Sequence, residues 1–377
     1  MKILIYGGSF DPVHKGHYAL LKAAVSQLKP DYTHIFTAWR SPFKQKSPIP
    51  FETRQNMARD ALAPVSSGII FDDFERRARR VVYTWETVKR VRELYRGAKV
   101  YLLVGADCLN DMHRWQNAPY LFQNAAIAAG ARKGFKFATR DFDFTLLKGG
   151  FPPVSSTQLR LAIMCNGMVP AAVPAATAAF IEKNLMYGLN MHKWLEANLK
   201  PRRYMHTKMV AQAAVALARA RSKADAERAA AAALLHDMAK CMSDADLIEY
   251  SRENGLKIKD FGEICLRAPH LLHGAVSADM AKKLFAVKDK DLLLAISRHT
   301  LGARNMSGLQ KILFIADMAS KDRKYKEARA VQAAAQKSLD EGMLAAMAVK
   351  LNFTIQTRKW LAPAGPKLWN ELLSKLN

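Results

Sequence analysis

Two histidines three positions apart, His14 and His17, follow a glycine pair in "YGGSFDPVHKGHYALL". A neutral imidazole can donate a hydrogen bond or offer a lone pair, so such a pair can serve a phosphate, a metal or neither. The flanking "KILIYG" reads as a buried strand and "HYALLKAAVSQL" as an amphipathic helix, so the chain turns from strand to helix here, with the helix starting near His17. Gly7 and Gly8 allow the tight turn, Ser9 and Phe10 continue it, and the helix entrance adds unpaired N–H groups and a positive dipole end. That combination is a seat for phosphate. Nothing in the pattern suggests a nucleophile. The expected role of both histidines is to donate hydrogen bonds to phosphate oxygens as negative charge grows in a transition state. A bare H-x-x-H pair would more often be incidental, and it is the whole string that carries the reading.

A second set lies far along the chain, in "YMHTKM", "LLHDMAK", "HLLHG", "ISRHTLG" and "FIADMAS". Its members are His206, His236, Asp237, His273, His299 and Asp317, each on or beside a predicted helix. Imidazole and carboxylate without thiolate suit iron, manganese, nickel or zinc. In an adjacent His-Asp pair the carboxylate can bridge two cations while the imidazole fixes one, and two bridged cations can clamp a phosphoanhydride. The plain alternative is a helical bundle with scattered structural histidines, and "HLLH" leaves open an exchange of His270 for His273.

The elements that must position these groups differ in the two halves. The first alternates strand-like "KILIYG", "THIFTAW", "GIIFDDF", "KVYLLVGA" and "NAAIAAGA" with helical "ETRQNMARDALA" and "TWETVKRVRELYR", which predicts a parallel sheet covered by helices on both faces. From about Met191 nearly everything reads as helix, including alanine-rich "MVAQAAVALARA". Two domains are therefore expected over the 377 residues, 1–188 of α/β class and 191–377 all-helical. No signal-peptide pattern and no membrane-length apolar run occurs, and Cys108, Cys165, Cys241 and Cys265 form no CxxC pair, so a cytoplasmic, reducing location is expected. The net charge of +25 is spread evenly, +12 over residues 1–190 and +13 over the remainder. An even spread favours solvated surface or a field attracting polyphosphates over specific nucleic-acid binding, for which no aromatic-basic signature appears.

Residues 1–188 resemble the nicotinate mononucleotide adenylyltransferases of the HxGH nucleotidyltransferase superfamily, whose fold is a Rossmann-like parallel sheet. Beyond "GGSFDPVHKGH", the segment "SPFKQKSPIPFETRQNMARDAL" resembles the family's lysine loop, with Lys44 at the lysine position. "YTWETV" resembles its Y-T-x-D-T stretch, with Thr84 where nicotinate is contacted and Glu86 in place of aspartate. "GADCLNDMHRW" matches through Asp107 and Trp115, and "VSSTQLR" through Ser155, Ser156, Thr157 and Arg160. Arg132 falls where the family has R-P-G, with Lys133 replacing the proline. The resemblance implies transfer of AMP from ATP, carrying Mg2+, to nicotinate mononucleotide, giving deamido-NAD and pyrophosphate. His14, His17, Lys44 and Arg160 would stabilise the phosphates. Gly7, Gly8, Ser9, Phe10, Asp107, Ser155 and Ser156 would line the ATP site, and Thr84, Trp115 and Arg132 the acceptor site. The rival acceptors are pantetheine phosphate or a riboflavin nucleotide.

The order H…HD…H…H…D resembles the HD-domain phosphohydrolases, and "RYMHTKMV", "AALLHDMAK", "ISRHTLGARNMSGLQKILFIADMASKDR" and "SLDEGMLAAM" are similar to the bacterial subfamily that cleaves diadenosine tetraphosphate into two ADP. The resemblance implies two metal ions, with iron expected: one on His206, His236, Asp237 and Asp317, the second on His273 and His299, with Asp237 bridging. Lys240, Thr300 and Arg304 would contact phosphate, although "HTLGAR" departs from the usual H-T-T-G-R by a leucine and an inserted alanine. A non-catalytic nucleotide-sensing module is the alternative for this half, and self-association stays open.

Overall fold

The run "KILIYGG" is apolar at every interior position because its strand is covered on both sides. This is β1 (Lys2–Gly8), the centre of a six-stranded sheet with β2 (Tyr32–Thr37), β3 (Ile69–Asp72), β4 (Lys99–Gly105), β5 (Ala126–Gly130) and β6 (Phe144–Leu147). The computed structural model describes residues 1–41, 49–131, 135, 142–221, 226–323 and 326–376, without the side chains of Asp107 and Arg221. The strand order is β3-β2-β1-β4-β5-β6 and every pairing is parallel. Alternation along β1 sends Leu4 and Tyr6 into a core with Leu20, Leu21, Ala58 and Leu62 of the helices Lys15–Leu28 and Phe51–Leu62. Ile3 and Ile5 face the other way, onto Val88, Val91 and Leu121 from the helices Thr84–Leu94 and Ala118–Asn124.

The chain divides into two compact units, Met1–Arg160 with Val169–Asn184, and Leu161–Met168 with Leu185–Asn377. In the first, the expected α/β sheet is present with one strand more than the periodicity suggested. β6 is short and lies at the edge, and its Thr145 and Leu146 are exposed, so no continuous apolar run announces it. The strand order reverses between β1 and β4, and in such sheets ligands bind beyond the carboxyl ends of the strands at that reversal. "SFDPVHKGH" leaves β1 there and "ADCLNDMHRW" leaves β4 there.

The second unit is helical, with no strand among its described residues. Ala211, Ala214 and Ala218 of the helix Pro201–Arg221 and Ala229, Ala230 and Ala233 of Ala226–Leu235 are fully buried, small side chains that let these helices pack closely. The helix Gly308–Ala319 is buried from Leu309 to Asp317 apart from Lys311, the signature of a central helix, and it carries Asp317 into the interior. No helix among the described residues is long and apolar enough to cross a membrane.

Two buried ionisable side chains brace the loops after β1 and β2. Arg54 is 3 % exposed, and its Nη1 donates to Ser9 O and Ala38 O, both at 2.8 Å, tying that loop to the end of β2. Glu75 accepts the Trp39 N–H at 2.9 Å, and burial pushes its carboxyl up to about 7 against the pull of that bond and of Arg54. The folded value lies above the unfolded one, so Glu75 favours the fold most when neutral, and that stability is lost as pH rises through about 7. Relative to Glu75→Gln, which keeps an acceptor for Trp39, the wild-type first unit should lose up to about 3 kcal/mol between pH 5 and 8. Urea unfolding of both proteins across that range checks this, and equal pH slopes would contradict it.

Candidate functional sites

His14 is the N-cap of the helix Lys15–Leu28, which begins two residues before the position expected from periodicity. The two rings complete the cap reciprocally. His14 Nδ1 accepts the His17 N–H at 3.3 Å, and His17 Nδ1 accepts the His14 N–H at 3.2 Å. The rings stack at 3.7 Å between centroids, and a Cβ on Gly16 would meet His14 Nδ1 at 2.9 Å, so the glycine makes room for the stack. Because each Nδ1 is an acceptor, a neutral ring must carry its proton on Nε2. Both imidazoles are thereby set as Nε2–H donors.

The "SSTQLR" segment is fastened to the same loop across more than a hundred residues of sequence. Ser156 Oγ donates to Pro12 O at 3.0 Å and Arg160 Nη1 to Asp11 O at 2.7 Å. Ser155 caps the helix Ser156–Asn166, accepting the Gln158 N–H at 3.3 Å. The structure thus brings together His14, His17, Ser155, Ser156, Thr157 and Arg160 with the loop Gly7–Phe10. Asp107 lies in the helix Ala106–Leu109 directly after β4, and Trp115 is half-buried against the core on that face of the sheet. Thr84 opens the helix Thr84–Leu94, whose entrance is held by Glu86 accepting the Tyr83 N–H at 2.9 Å. Glu86 therefore fills a capping role where the family has aspartate. Lys44 and Arg132 lie outside the described residues. Arg54, which braces the loop, escaped the sequence reading. Its signal was an arginine on the apolar stripe of "FETRQNMARDAL", in line with Phe51, Met57, Ala58 and Ala61.

In the second unit six expected residues from five segments converge. His206 sits within Pro201–Arg221, His236 and Asp237 just past Ala226–Leu235, His273 at the start of His273–Leu284, His299 at the end of Lys290–Arg298, and Asp317 near the end of Gly308–Ala319. Asp237 is central: its Oδ1 lies 3.3 Å from His273 Nε2 and 3.6 Å from His299 Nε2, and its Oδ2 lies 3.5 Å from His236 Nε2. His206 Nε2 is 3.1 Å from Asp317 Oδ1. Two groups of prospective ligands result, His206–His236–Asp237 and Asp237–His273–His299, sharing one carboxylate.

Here the outer ring nitrogens meet carbonyls instead of N–H groups. His236 Nδ1 bonds Ala233 O at 2.6 Å, His273 Nδ1 bonds His270 O at 2.5 Å, and His299 Nδ1 bonds Ile296 O at 2.7 Å. A carbonyl only accepts, so each Nδ1 carries the proton and each Nε2 turns a lone pair inward. His273 Nε2 and His299 Nε2 then face each other at 3.1 Å, and the Thr300 hydroxyl between them, at 3.1 and 3.2 Å, has one proton for two lone pairs. His236 Nε2 is buried with no hydrogen-bond partner at all. Burial holds His236 and His273 down at about 4, so they stay neutral at ordinary pH. Burial alone would raise the carboxyls of Asp237 and Asp317, yet both lie well below the usual range, and each accepts from a guanidinium, Asp237 from Arg203 and Asp317 from Arg323. Inward lone pairs around two buried carboxylates fit a divalent cation and fit nothing else present.

Of the expected phosphate contacts, Thr300 lies in this cluster, and Lys240 is half-buried in the turn after Asp237, its ammonium pKa lowered by burial. Arg304 is not brought to the cluster: it is exposed and pairs with Glu371 at 3.2 Å. His270 gives a backbone carbonyl to His273 and lines an adjoining cleft of about 1220 Å3. Three residues escaped the sequence reading. Arg203 donates to Asp237 Oδ2 at 2.8 Å, Arg323 donates to Asp317 Oδ1 at 2.7 Å, and Lys350 donates to His299 O and Thr300 O at 3.0 and 2.9 Å. Arg203 was legible as the residue one turn before His206, and Lys350 lies just past "SLDEGMLAAM", a segment that itself contains no histidine.

A cytidylyltransferase-like family model matches residues 5–162 and an HD domain model residues 203–334. A Mycoplasma genitalium protein described as a probable nicotinate-nucleotide adenylyltransferase/Ap4A hydrolase is 27% identical over 329 residues, 86% of this chain and 89% of its own length. A Nitratiruptor protein described as a probable nicotinate-nucleotide adenylyltransferase is 34% identical over 161 residues, 43% of this chain and 88% of its own. A solved chain from Clostridium acetobutylicum, described as a predicted HD superfamily hydrolase involved in NAD metabolism, is 33% identical, covering 49% of this chain and 96% of that one with a TM-score of 0.47. The chain belongs to the nicotinate-nucleotide adenylyltransferase family through its first half and carries an HD domain in its second.

Proposed function

We propose that the chain is a bifunctional nucleotide enzyme, with residues 1–188 joining ATP and nicotinate mononucleotide and residues 191–377 hydrolysing diadenosine tetraphosphate or a related nucleotide to ADP. The observation that carries it is the opposite kind of partner at Nδ1 in the two histidine groups: backbone N–H for His14 and His17, which leaves Nε2–H donors, and carbonyl oxygen for His236, His273 and His299, which leaves Nε2 lone pairs. Donors suit anionic oxygens, and lone pairs suit cations.

In the first site the mononucleotide phosphate attacks the α-phosphorus of ATP in line, the α–β anhydride breaks, and pyrophosphate leaves. No residue becomes covalently attached. The Nε2–H groups of His14 and His17 and the Arg160 guanidinium meet the phosphate charge without reorganisation during reaction, and Lys44 is the ammonium that the family resemblance adds to them. ATP brings its Mg2+. Gly7 to Phe10, Ser155 and Ser156 bound the ATP side and Thr84 and Trp115 the acceptor, and the resemblance would add Asp107 to the first and Arg132 to the second.

In the second site His206, His236, Asp237 and Asp317 would hold one ion, with Asp237 shared to another on His273 and His299. Iron is the expected metal, and manganese, nickel and zinc suit the same donors. Such ions, when bound, lower the pKa of water and draw charge off phosphoanhydride oxygens. The protein's own part is to keep four imidazoles and two carboxylates buried and aimed, with Thr300, Lys240, Arg323 and Lys350 adding polar and cationic contacts beside the cleft. The cleft's volume of about 1220 Å3 exceeds that of ordinary small-ligand pockets, in keeping with a two-nucleoside substrate.

Two assays on the purified full chain test this. With ATP, nicotinate mononucleotide should give deamido-NAD, and His17→Ala should cut that rate about 100- to 1000-fold while leaving tetraphosphate cleavage in place. Asp237→Asn should abolish ADP formation from diadenosine tetraphosphate and leave adenylyl transfer in place. Wild-type protein that binds metal but releases no ADP would instead identify the helical unit as a sensor. Preference for the nicotinamide mononucleotide or another acceptor would correct the first assignment.

A further inference from the structure

Each ligand imidazole of the HD centre needs an acceptor on Nδ1, because that bond keeps the proton off the edge that faces the cation. Three of the four find a backbone carbonyl. His236 and His299 lie at the ends of the helices Ala226–Leu235 and Lys290–Arg298, where the last carbonyls have no partner in the helix, and His273 follows a short 3-10 turn, Pro269–Leu272. His206 is different. It lies inside the helix Pro201–Arg221, where the neighbouring carbonyls are committed to the helix's own ladder. Its Nδ1 turns to a side chain, the Asp322 carboxylate at 2.7 Å.

We propose that Asp322 is the positioning residue that sets His206 as a metal ligand, an inference that rests on the reading of this centre as a metal site. Asp322 follows the helix Gly308–Ala319 that carries Asp317, so one helix end brackets one imidazole: Asp317 Oδ1 stands 3.1 Å from Nε2 and Asp322 Oδ2 stands 2.7 Å from Nδ1. With Asp322 present, a neutral His206 keeps its proton on Nδ1 and offers Nε2. Without it, the single proton of the neutral ring moves to Nε2, where Asp317 is the acceptor, and the lone pair turns away from the other ligands. Asp322 touches no prospective ion itself, and its side chain is 29% exposed, so replacing it opens no core cavity.

The test is a Co2+ titration of metal-stripped full chain, followed by visible absorbance. Wild type should bind two ions per chain. Asp322→Ala should weaken one of them by about tenfold to a hundredfold and leave the other in place. Asp322→Asn should restore most of the loss, since an amide oxygen accepts from Nδ1 as the backbone carbonyls do for the other three rings. Unchanged Co2+ affinity in a folded Asp322→Ala, or an Asp322→Asn as weak as the alanine variant, would overturn the role of Asp322 while leaving the metal centre standing. Wild type that binds no Co2+ would overturn both. Asp322→Leu, which likewise offers no acceptor, replaces the alanine variant if that protein does not fold, with the same outcomes.

Discussion

The partner of each histidine's Nδ1 atom is the constraint on which both sites depend. In the first unit that partner is a backbone N–H, and Nε2 becomes a donor. In the second it is an oxygen, and Nε2 of His236, His273 and His299 becomes a lone pair. The same side chain is thereby assigned to two chemistries by a bond that points away from the reaction. Reversing either assignment would be costly in function: a lone pair would repel phosphate, and an Nε2–H would repel a cation.

The folds supply these partners from their own regular features. A helix entrance has N–H groups without intrahelical acceptors, and His14 and His17 take two of them in a reciprocal cap. Helix ends have carbonyls without donors, and His236 and His299 take those. The parallel sheet contributes position, because reversal of strand order between β1 and β4 leaves a crevice at which the histidine loop and the segment after β4 both arrive. Arg54 then fixes the loop from below, and Ser156 and Arg160 fix it from the far end of the unit. The helical unit reaches convergence by gathering His236, His273 and His299 from helix ends around the buried Asp237, with Asp317 on its central helix paired to His206.

Much of this was legible before the structure. The alternation of strands and helices and the helical second half follow from periodicity, and His206, His236, Asp237, His273, His299 and Asp317, singled out by their order along the chain, lie together in the structure. His270 and His273 could not be separated by spacing, and the structure separates them, because only the His273 ring enters the cluster. What stayed hidden was long-range or half-exposed. β6 lacks an apolar run, Lys350 reaches His299 and Thr300 from a position some fifty residues away in sequence, and Arg304 pairs with Glu371, a partner no local pattern announces. The tautomers were hidden too, since they depend on which atom each ring meets.

Those tautomers can be measured directly. In the full chain labelled with nitrogen-15 histidine, the ring shifts and one-bond couplings report which nitrogen carries the proton. The account predicts the Nε2–H form for His14 and His17, and the Nδ1–H form for His236, His273 and His299, with the Nε2 resonances of these three and of His206 moving when a diamagnetic divalent ion such as Zn2+ is added. Nδ1 protons on His14 and His17, or Nε2 protons on the helical unit's rings that persist with Zn2+ present, would contradict it.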